Sequence, residues 1–347
     1  MSHLLDLAPY GPRRDAQLLA ELNALTARHR AGCAPYGVLA DATPAAALAD
    51  LPFVHVGVFK QLDLRTEAAD IRHQRTLLSS ATSSGVSSRI ALDADSSALQ
   101  SRSVVRILGD FVGETRRPLL ILDSSRSLRS RRQMSARIAA ALGLQPLSSE
   151  VRFLLEDAGD AATMRWDVLE EVLGDHDELL VYGFTWILWQ AWGAVEMPAA
   201  VRAALAGKTI HFVHSGGWKR LEDERVGRSR FDDALLTGLA TTSAVIDYYG
   251  LVEQIGIIYP LCAHGARHVP VWADVLVRDP WTGAALAEAE GQLQLLNVLA
   301  LGAPYHSVLT EDLGRLLPGP CPCGRSGRRF ELIGRVAKAE VRGCANV

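Results

Sequence analysis

The chain has 347 residues, 48% hydrophobic and 22% charged, with a formal net charge of -3. That size and balance describe a globular protein with a sizeable core, in one large or two smaller domains, and give no footing for nucleic acid or an anionic membrane as the main partner. The five cysteines are an odd number and the opening MSHLLDLAPYGPRRD has no apolar stretch behind a basic one, so the expectation is a cytoplasmic protein without a disulfide framework.

Residues 16–29 repeat apolar positions at helical spacing. Residues 79–93, SSATSSGVSSRIALD, then crowd six serines, a threonine and a glycine into one stretch. Small hydroxyl side chains and a glycine let backbone amides approach an anion closely, as phosphate-cradling loops do, and Arg89 adds a fixed positive charge. A flexible serine-rich linker has the same composition. Leu77 and Leu78 before the run and Ile90, Ala91 and Leu92 after it favour a loop held between ordered elements.

Residues 118–123 (PLLILD) are a continuous apolar run, the pattern of a strand buried on both faces. Arg126, Arg129, Arg131 and Arg132 follow among serines and read as a solvated basic loop, with anion contact as the alternative. The spacing predicts a helix over 131–142, ended by Gly143 and Pro146. Residues 179–182 and 209–213 repeat the buried-strand pattern. The apolar stretch 179–195 falls short of a membrane span of about 20 residues and reads as a buried strand followed by a helix. This alternation predicts an α/β core. Residues 271–277 (VWADVLV) and 291–296 (GQLQLL) alternate in polarity, and half-exposed strands of a more antiparallel last third are expected there.

Five segments offer chemistry. HSGGWK, 214–219, follows the strand 209–213 and so should occupy a strand's C-terminal end, the edge where open α/β sheets bind ligands. Gly216 and Gly217 permit close backbone approach to a flat ligand, or simply a tight turn. DYYGLVEQ, 247–254, sets Glu253 three residues after Gly250, where a carboxylate beside a phosphate loop suits magnesium. TEDLG, 310–314, adds two acids, and a solvated loop or helix cap is the plain alternative for both acidic segments. Cys262, His268, Cys321 and Cys323 form a complete donor set for tetrahedral structural zinc, with His264 as the alternative nitrogen ligand and unrelated thiols as the other reading. Cys344, beside Arg342 near the end of the sequence, is either a thiol able to carry an acyl group or an incidental free cysteine.

The order and wording of these segments resemble the LuxE acyl-protein synthetase family, relatives of phenylacetate-CoA ligases among the adenylate-forming enzymes. The resemblance runs from the 79–93 loop to the C-terminus and is most specific in DYYGLVEQIGIIYPLCAHGARHVP (247–270), SVLTEDLG (307–314), CPCGR (321–325) and IGR (333–335). It implies an α/β fold, the large N-terminal-type domain of adenylate-forming enzymes with mixed sheets, and the mobile C-terminal domain reduced to a short tail. The adenylating core would occupy 1–335: a helical, variable part over 1–75, an α/β portion over 76–260 and a strand-rich portion with the zinc site over 261–335. A tail over 336–347 would carry Cys344.

The resemblance further implies a site for ATP and magnesium. Ser80, Thr82, Ser83 and Gly85 would cradle the triphosphate, and Gly216 and Gly217 would lie along adenine. Tyr249, followed by Gly250, would pack against adenine, with Glu253 toward magnesium. Asp312 would hold the ribose hydroxyls, and Arg335 would be the hinge arginine, with Lys338 the lysine beyond it. His214 would contact the substrate carboxylate or buttress its loop, and Phe184 and Trp186 are candidate wall residues of an acyl pocket. Two positions depart from the family pattern: Ala81 and Ser84 stand where the phosphate loop usually has glycine.

The implied activity is ATP-dependent conversion of a fatty or otherwise apolar carboxylic acid to an acyl-adenylate, then transfer to Cys344 as a thioester for delivery to a partner such as an acyl reductase. The alternatives are transfer to coenzyme A, a carrier protein or an amine, or, given Ala81 and Ser84, a homologue that binds nucleotide or a partner with little turnover.

Overall fold

The structure, a computed structural model, describes residues 3–79, 87–128 and 133–336. The first strands in chain order are β1 (Val54–His55), β2 (His73–Leu78), β3 (Arg89–Asp93), β4 (Arg117–Ile121) and β5 (Gln133–Ser135). The middle supplies β6 (Ser148–Phe153), β7 (Glu178–Phe184), β8 (Thr209–Ser215), β9 (Ala244–Tyr249) and β10 (Tyr259–Pro260). The remainder are β11 (Arg267–His268), β12 (Ala273–Arg278), β13 (Ala285–Leu286), β14 (Gly291–Asn297), β15 (Ser307–Leu316) and β16 (Arg329–Arg335).

Apolar runs make the first large sheet. It has the order β10-β9-β8-β7-β4-β6, parallel except for β10. Leu119, Leu180, Val181, Phe212 and Val213 are all buried in it, as runs apolar on both faces require. One face packs against helices Trp166–Asp175 and Arg228–Leu236 through Leu169, Val172, Phe231 and Leu235. The other joins the main core with helix Ala94–Val112. A seven-stranded, mostly antiparallel sheet, β11-β16-β15-β14-β12-β13 with β1 beside β15, closes that core. The α/β architecture with mixed sheets is therefore as expected.

A three-stranded sheet, β3-β2-β5, holds the serine-rich run. Ser79 N–H donates to the Ser88 carbonyl at 3.1 Å and Ser88 N–H to Ser79 Oγ at 2.8 Å, closing the antiparallel β2–β3 pair around it. Ser79 and Ser88, described residues of the run, are thus held together by paired strands. Ser80, Thr82, Ser83 and Gly85, with Ala81 and Ser84, lie outside the described residues, as do Lys338 and Cys344.

Two local expectations need correction. The helix expected over 131–142 begins only at Ala136, because Gln133–Ser135 pairs with β2 as a strand. Strands β12 and β14, expected to be half-exposed, are buried at every position. Their polar residues are satisfied internally: Asp274 takes both guanidinium nitrogens of Arg13, and Gln294 accepts from Arg278 at 2.6 Å while donating to Ser307 at 2.9 Å. Alternating polarity marked alternating chemistry here, since hydrogen-bonded polar side chains can be buried as completely as apolar ones. Of the basic loop, Arg126 faces solvent and pairs with Asp157 at 2.6 Å. Among the described residues no helix is long and apolar enough to cross a membrane.

Candidate active site

Strands β4, β7, β8 and β9 run parallel, and His214, Gly216, Gly217, Tyr249, Gly250 and Glu253 lie at or just beyond the ends of β8 and β9. After β8, Gly216 and Gly217 take φ of 88° and 65°, left-handed backbone that glycine alone adopts without steric cost. A methyl group at Gly216 would stand 3.3 Å from the Phe184 ring, whereas at Gly217 it would meet nothing within 4 Å. Just before them His214 is buried, its Nδ1 3.0 Å from Thr185 Oγ1. Thr185 donates its own proton to the Ser215 carbonyl at 3.1 Å, so His214 Nδ1 is the donor in this pair. Burial lowers the imidazole to about 4, and it is neutral near pH 7. These contacts tie the end of β7 to the end of β8. Tyr182, Trp189 and Trp192 are buried in the core, while Phe184 and Trp186 are only partly buried.

Strand β9 ends at Tyr249, whose hydroxyl donates to Asp312 Oδ2 at 2.7 Å from the facing strand β15. Arg335, at the end of β16, donates through Nε to the other oxygen of Asp312 at 3.1 Å, and its side chain is 61% exposed. Burial raises the Asp312 carboxyl, opposed by Tyr249 and Arg335. Burial and the adjacent Asp312 together raise Tyr249 well above the ordinary phenol range. Glu253 follows in the turn Val252–Gln254, 6% exposed. Burial raises its carboxyl too; Ser88, at the foot of the β2–β3 hairpin, and Lys60 oppose this, while Asp312 adds to it. A carboxylate held at both oxygens beside an exposed guanidinium suits neighbouring hydroxyls and phosphate.

Tyr249, Asp312 and Arg335 are thus brought together, with Glu253 in electrostatic reach of Asp312. Four neighbours were not foreseen. Arg267 donates to Asp247 Oδ2 at 2.6 Å and to the Tyr259 carbonyl at 2.9 Å. Tyr259 stacks on Tyr249 at 6.0 Å, and Phe330 packs edge-on against both. Lys60 comes from the N-terminal part expected to be variable, and an isolated lysine carries no signal in sequence. The others sit inside or beside recognisable motifs but have no spacing that marks them.

On the far side of β16, the side chains of Cys262, His268, Cys321 and Cys323 converge, with all four ligand atoms within 4.8 Å of one another. Cys262 Sγ is 3.8 Å from Cys321 Sγ, and Cys323 Sγ is 3.2 Å from His268 Nε2. Two turns build the cluster: Gly265 N–H returns to the Cys262 carbonyl and Gly324 N–H to the Cys321 carbonyl, each glycine with positive φ. The four expected ligands therefore lie together, and His264 is exposed outside them. Burial lowers His268 to about 4, leaving a neutral imidazole. Three thiols and a neutral imidazole at these separations fit a tetrahedral zinc ion, whose bonds of about 2.0–2.3 Å put ligand atoms about 3.3–3.8 Å apart.

The sequence model of the family "Acyl-protein synthetase, LuxE" matches residues 21–347. A curated relative, the long-chain-fatty-acid–luciferin-component ligase of Aliivibrio fischeri, is 25% identical over 146 residues. That match covers 40% of this chain and only 37% of the relative's length. Among solved structures, a 2-hydroxyisobutyryl-CoA ligase in an open conformation with 2-HIB-AMP and CoA superposes with a TM-score of 0.64 at 16% identity, over 94% of this chain and 70% of that one. ATP-bound MatB from Rhodopseudomonas palustris gives 0.49 at 15% identity, over 78% of this chain and 49% of that one. The fold is that of adenylate-forming ligases.

Proposed function

The chain belongs to the LuxE acyl-protein synthetase family, and from that premise we propose that it activates a carboxylic acid with ATP and transfers the acyl group to a thiol. The observation that carries this reading is the convergence of Tyr249, Asp312 and Arg335 at the C-terminal edge of the parallel sheet, with Glu253 in electrostatic reach of Asp312. Residues 1–335 are the adenylating core and 336–347 the tail with Cys344.

In this reading Asp312 accepts from the ribose hydroxyls while Tyr249 and Arg335 hold its carboxylate in place. Gly216 and Gly217 lie along the adenine, and Tyr249, followed by Gly250, packs against it. Ser80, Thr82, Ser83 and Gly85 bind the phosphates from the hairpin that Ser79 and Ser88 close. Glu253 is the carboxylate for Mg2+, which when bound supplies positive charge to the phosphates. His214, neutral and committed to Thr185, holds the turn that carries the glycines. Cys262, His268, Cys321 and Cys323 hold a structural zinc ion.

The chemistry balances in two steps. A carboxylate oxygen attacks the α-phosphorus of ATP and pyrophosphate leaves; the thiolate of Cys344 then attacks the acyl carbon and AMP leaves. The acid is apolar, by analogy with the fatty acid named for the curated relative, and Phe184 and Trp186 would be wall residues of its pocket. An acyl reductase is the partner that would take the thioester.

Carboxylate-dependent exchange of pyrophosphate into ATP, followed by intact-mass measurement, tests this. Wild type should show exchange and a hydroxylamine-sensitive acyl adduct, and Cys344→Ser should keep the exchange and lose the adduct. An adduct that survives in Cys344→Ser removes that cysteine from the mechanism, and label found on coenzyme A or a carrier protein makes those the acceptor. Nucleotide binding without exchange for any acid in a broad library would overturn the enzyme reading.

A further inference from the structure

The Cys262/His268/Cys321/Cys323 cluster lies apart from Tyr249, yet two short arms join them. The first is Phe330, fully buried, which pairs across the sheet with Arg267, the neighbour of His268. Its ring meets Tyr249 at 6.1 Å and Tyr259 at 5.2 Å, both edge-on. The second is Arg267 itself, whose guanidinium ties the Tyr259 carbonyl and the Asp247 carboxylate together, two residues before Tyr249. Strand β11 is short: it pairs with β16 over two residues, one isolated bridge links Arg267 to Leu261, and Val269 N–H donates to the Arg328 carbonyl at 3.0 Å. A strand this short contributes few ladder hydrogen bonds of its own, so a bond from His268 to a shared ion would add a constraint at the residue next to Arg267.

From these contacts we infer that a metal ion in the Cys262/His268/Cys321/Cys323 cluster positions Tyr249 through Phe330 and Arg267, so that metal occupancy and nucleotide affinity are coupled. The inference rests on the nucleotide reading above and assigns Phe330 and Arg267 as positioning residues, since neither touches the reacting atoms. Linkage makes the coupling reciprocal: whatever factor the ion adds to nucleotide affinity, nucleotide adds to affinity for the ion. A factor of about ten is expected, within the usual range for coupled sites.

Reciprocity allows a test on the folded, zinc-loaded protein. Zinc affinity would be measured by competition with a chromophoric chelator, with and without Mg-ATP, and Mg-ATP affinity by calorimetry on loaded and zinc-stripped protein. The expected result is zinc held about tenfold more tightly when Mg-ATP is bound. Phe330→Leu should retain about one zinc per chain while losing that response, and Phe330→Tyr should restore it. Zinc affinity unchanged by saturating Mg-ATP, or a full response in Phe330→Leu, overturns the coupling. If loaded wild type binds no Mg-ATP at all, the nucleotide reading fails first and the coupling falls with it.

Discussion

Tyr249 and Asp312, 63 positions apart, share a buried hydrogen bond of 2.7 Å that joins the parallel sheet to the antiparallel one. Arg335 holds the carboxylate's other oxygen, so Asp312 is oriented by two sheets at once.

Tyr249→Phe keeps the ring between Tyr259 and Phe330 and removes only the hydroxyl. A lost hydrogen bond to a buried carboxylate should cost about 1.5–3 kcal/mol, read from the urea midpoint. With Asp312 held at one oxygen, KM for ATP should rise more than kcat falls. Unchanged stability and unchanged KM would mean that Arg335 alone suffices.

Alanine substitutions at the two adjacent glycines should separate backbone strain from crowding. Gly217→Ala pays only for its left-handed backbone, about 1 kcal/mol, because nothing lies within 4 Å of the new methyl. Gly216→Ala must in addition press on the Phe184 ring, 3.3 Å away, and should be the more destabilising of the pair in chemical denaturation. Equal costs would show that Phe184 moves aside freely.

Zinc content should distinguish the two histidines near the thiols. Elemental analysis is expected to give about one equivalent in wild type and in His264→Ala, and well under half in His268→Ala or Cys323→Ser. Retention in His268→Ala would contradict the geometry of the cluster.

Acid should destabilise the fold through its buried histidines. His29 stacks on His306 at 4.9 Å, and burial lowers it from 6.5 to about 4. Between those values the unfolded chain binds the proton that the folded one refuses, so stability is complete above about pH 6.5 and declines as pH falls toward 4. His29 alone should account for about 3 kcal/mol across that window. Urea midpoints at pH 7.5, 6 and 5 should fall steadily in wild type and less steeply in His29→Gln; parallel slopes would place the effect elsewhere.

Much of this was visible in sequence because the relevant signals are local. Continuous apolar runs marked β4, β7 and β8, and the glycines after β8 marked its turn. Chemistry-bearing residues inside motifs, such as Tyr249, Asp312 and the four metal ligands, could be named before their convergence was known. What stayed hidden depends on pairing between distant segments. Nothing around Asp274 or Gln294 announces that Arg13 and Arg278 will bury them. Phe330 looks like any strand phenylalanine until β16 is laid beside β11. Residues 133–135 had helical composition and became a strand because β2 offered an unpaired edge.

Strand β16 delivers the backbone to the site itself, with Arg335 on Asp312 and Val336 N–H donating to the Glu311 carbonyl at 2.8 Å. Cys344 lies nine residues beyond Arg335, so covalent geometry confines its sulfur to within about 30 Å of that anchor. Short flexible connections of that length in general give a linked group an effective concentration in the millimolar range, whatever the abundance of the protein. If the proposed transfer to Cys344 holds, a free thiol acceptor would have to reach comparable concentration, or be held by a binding surface of its own, to compete with it.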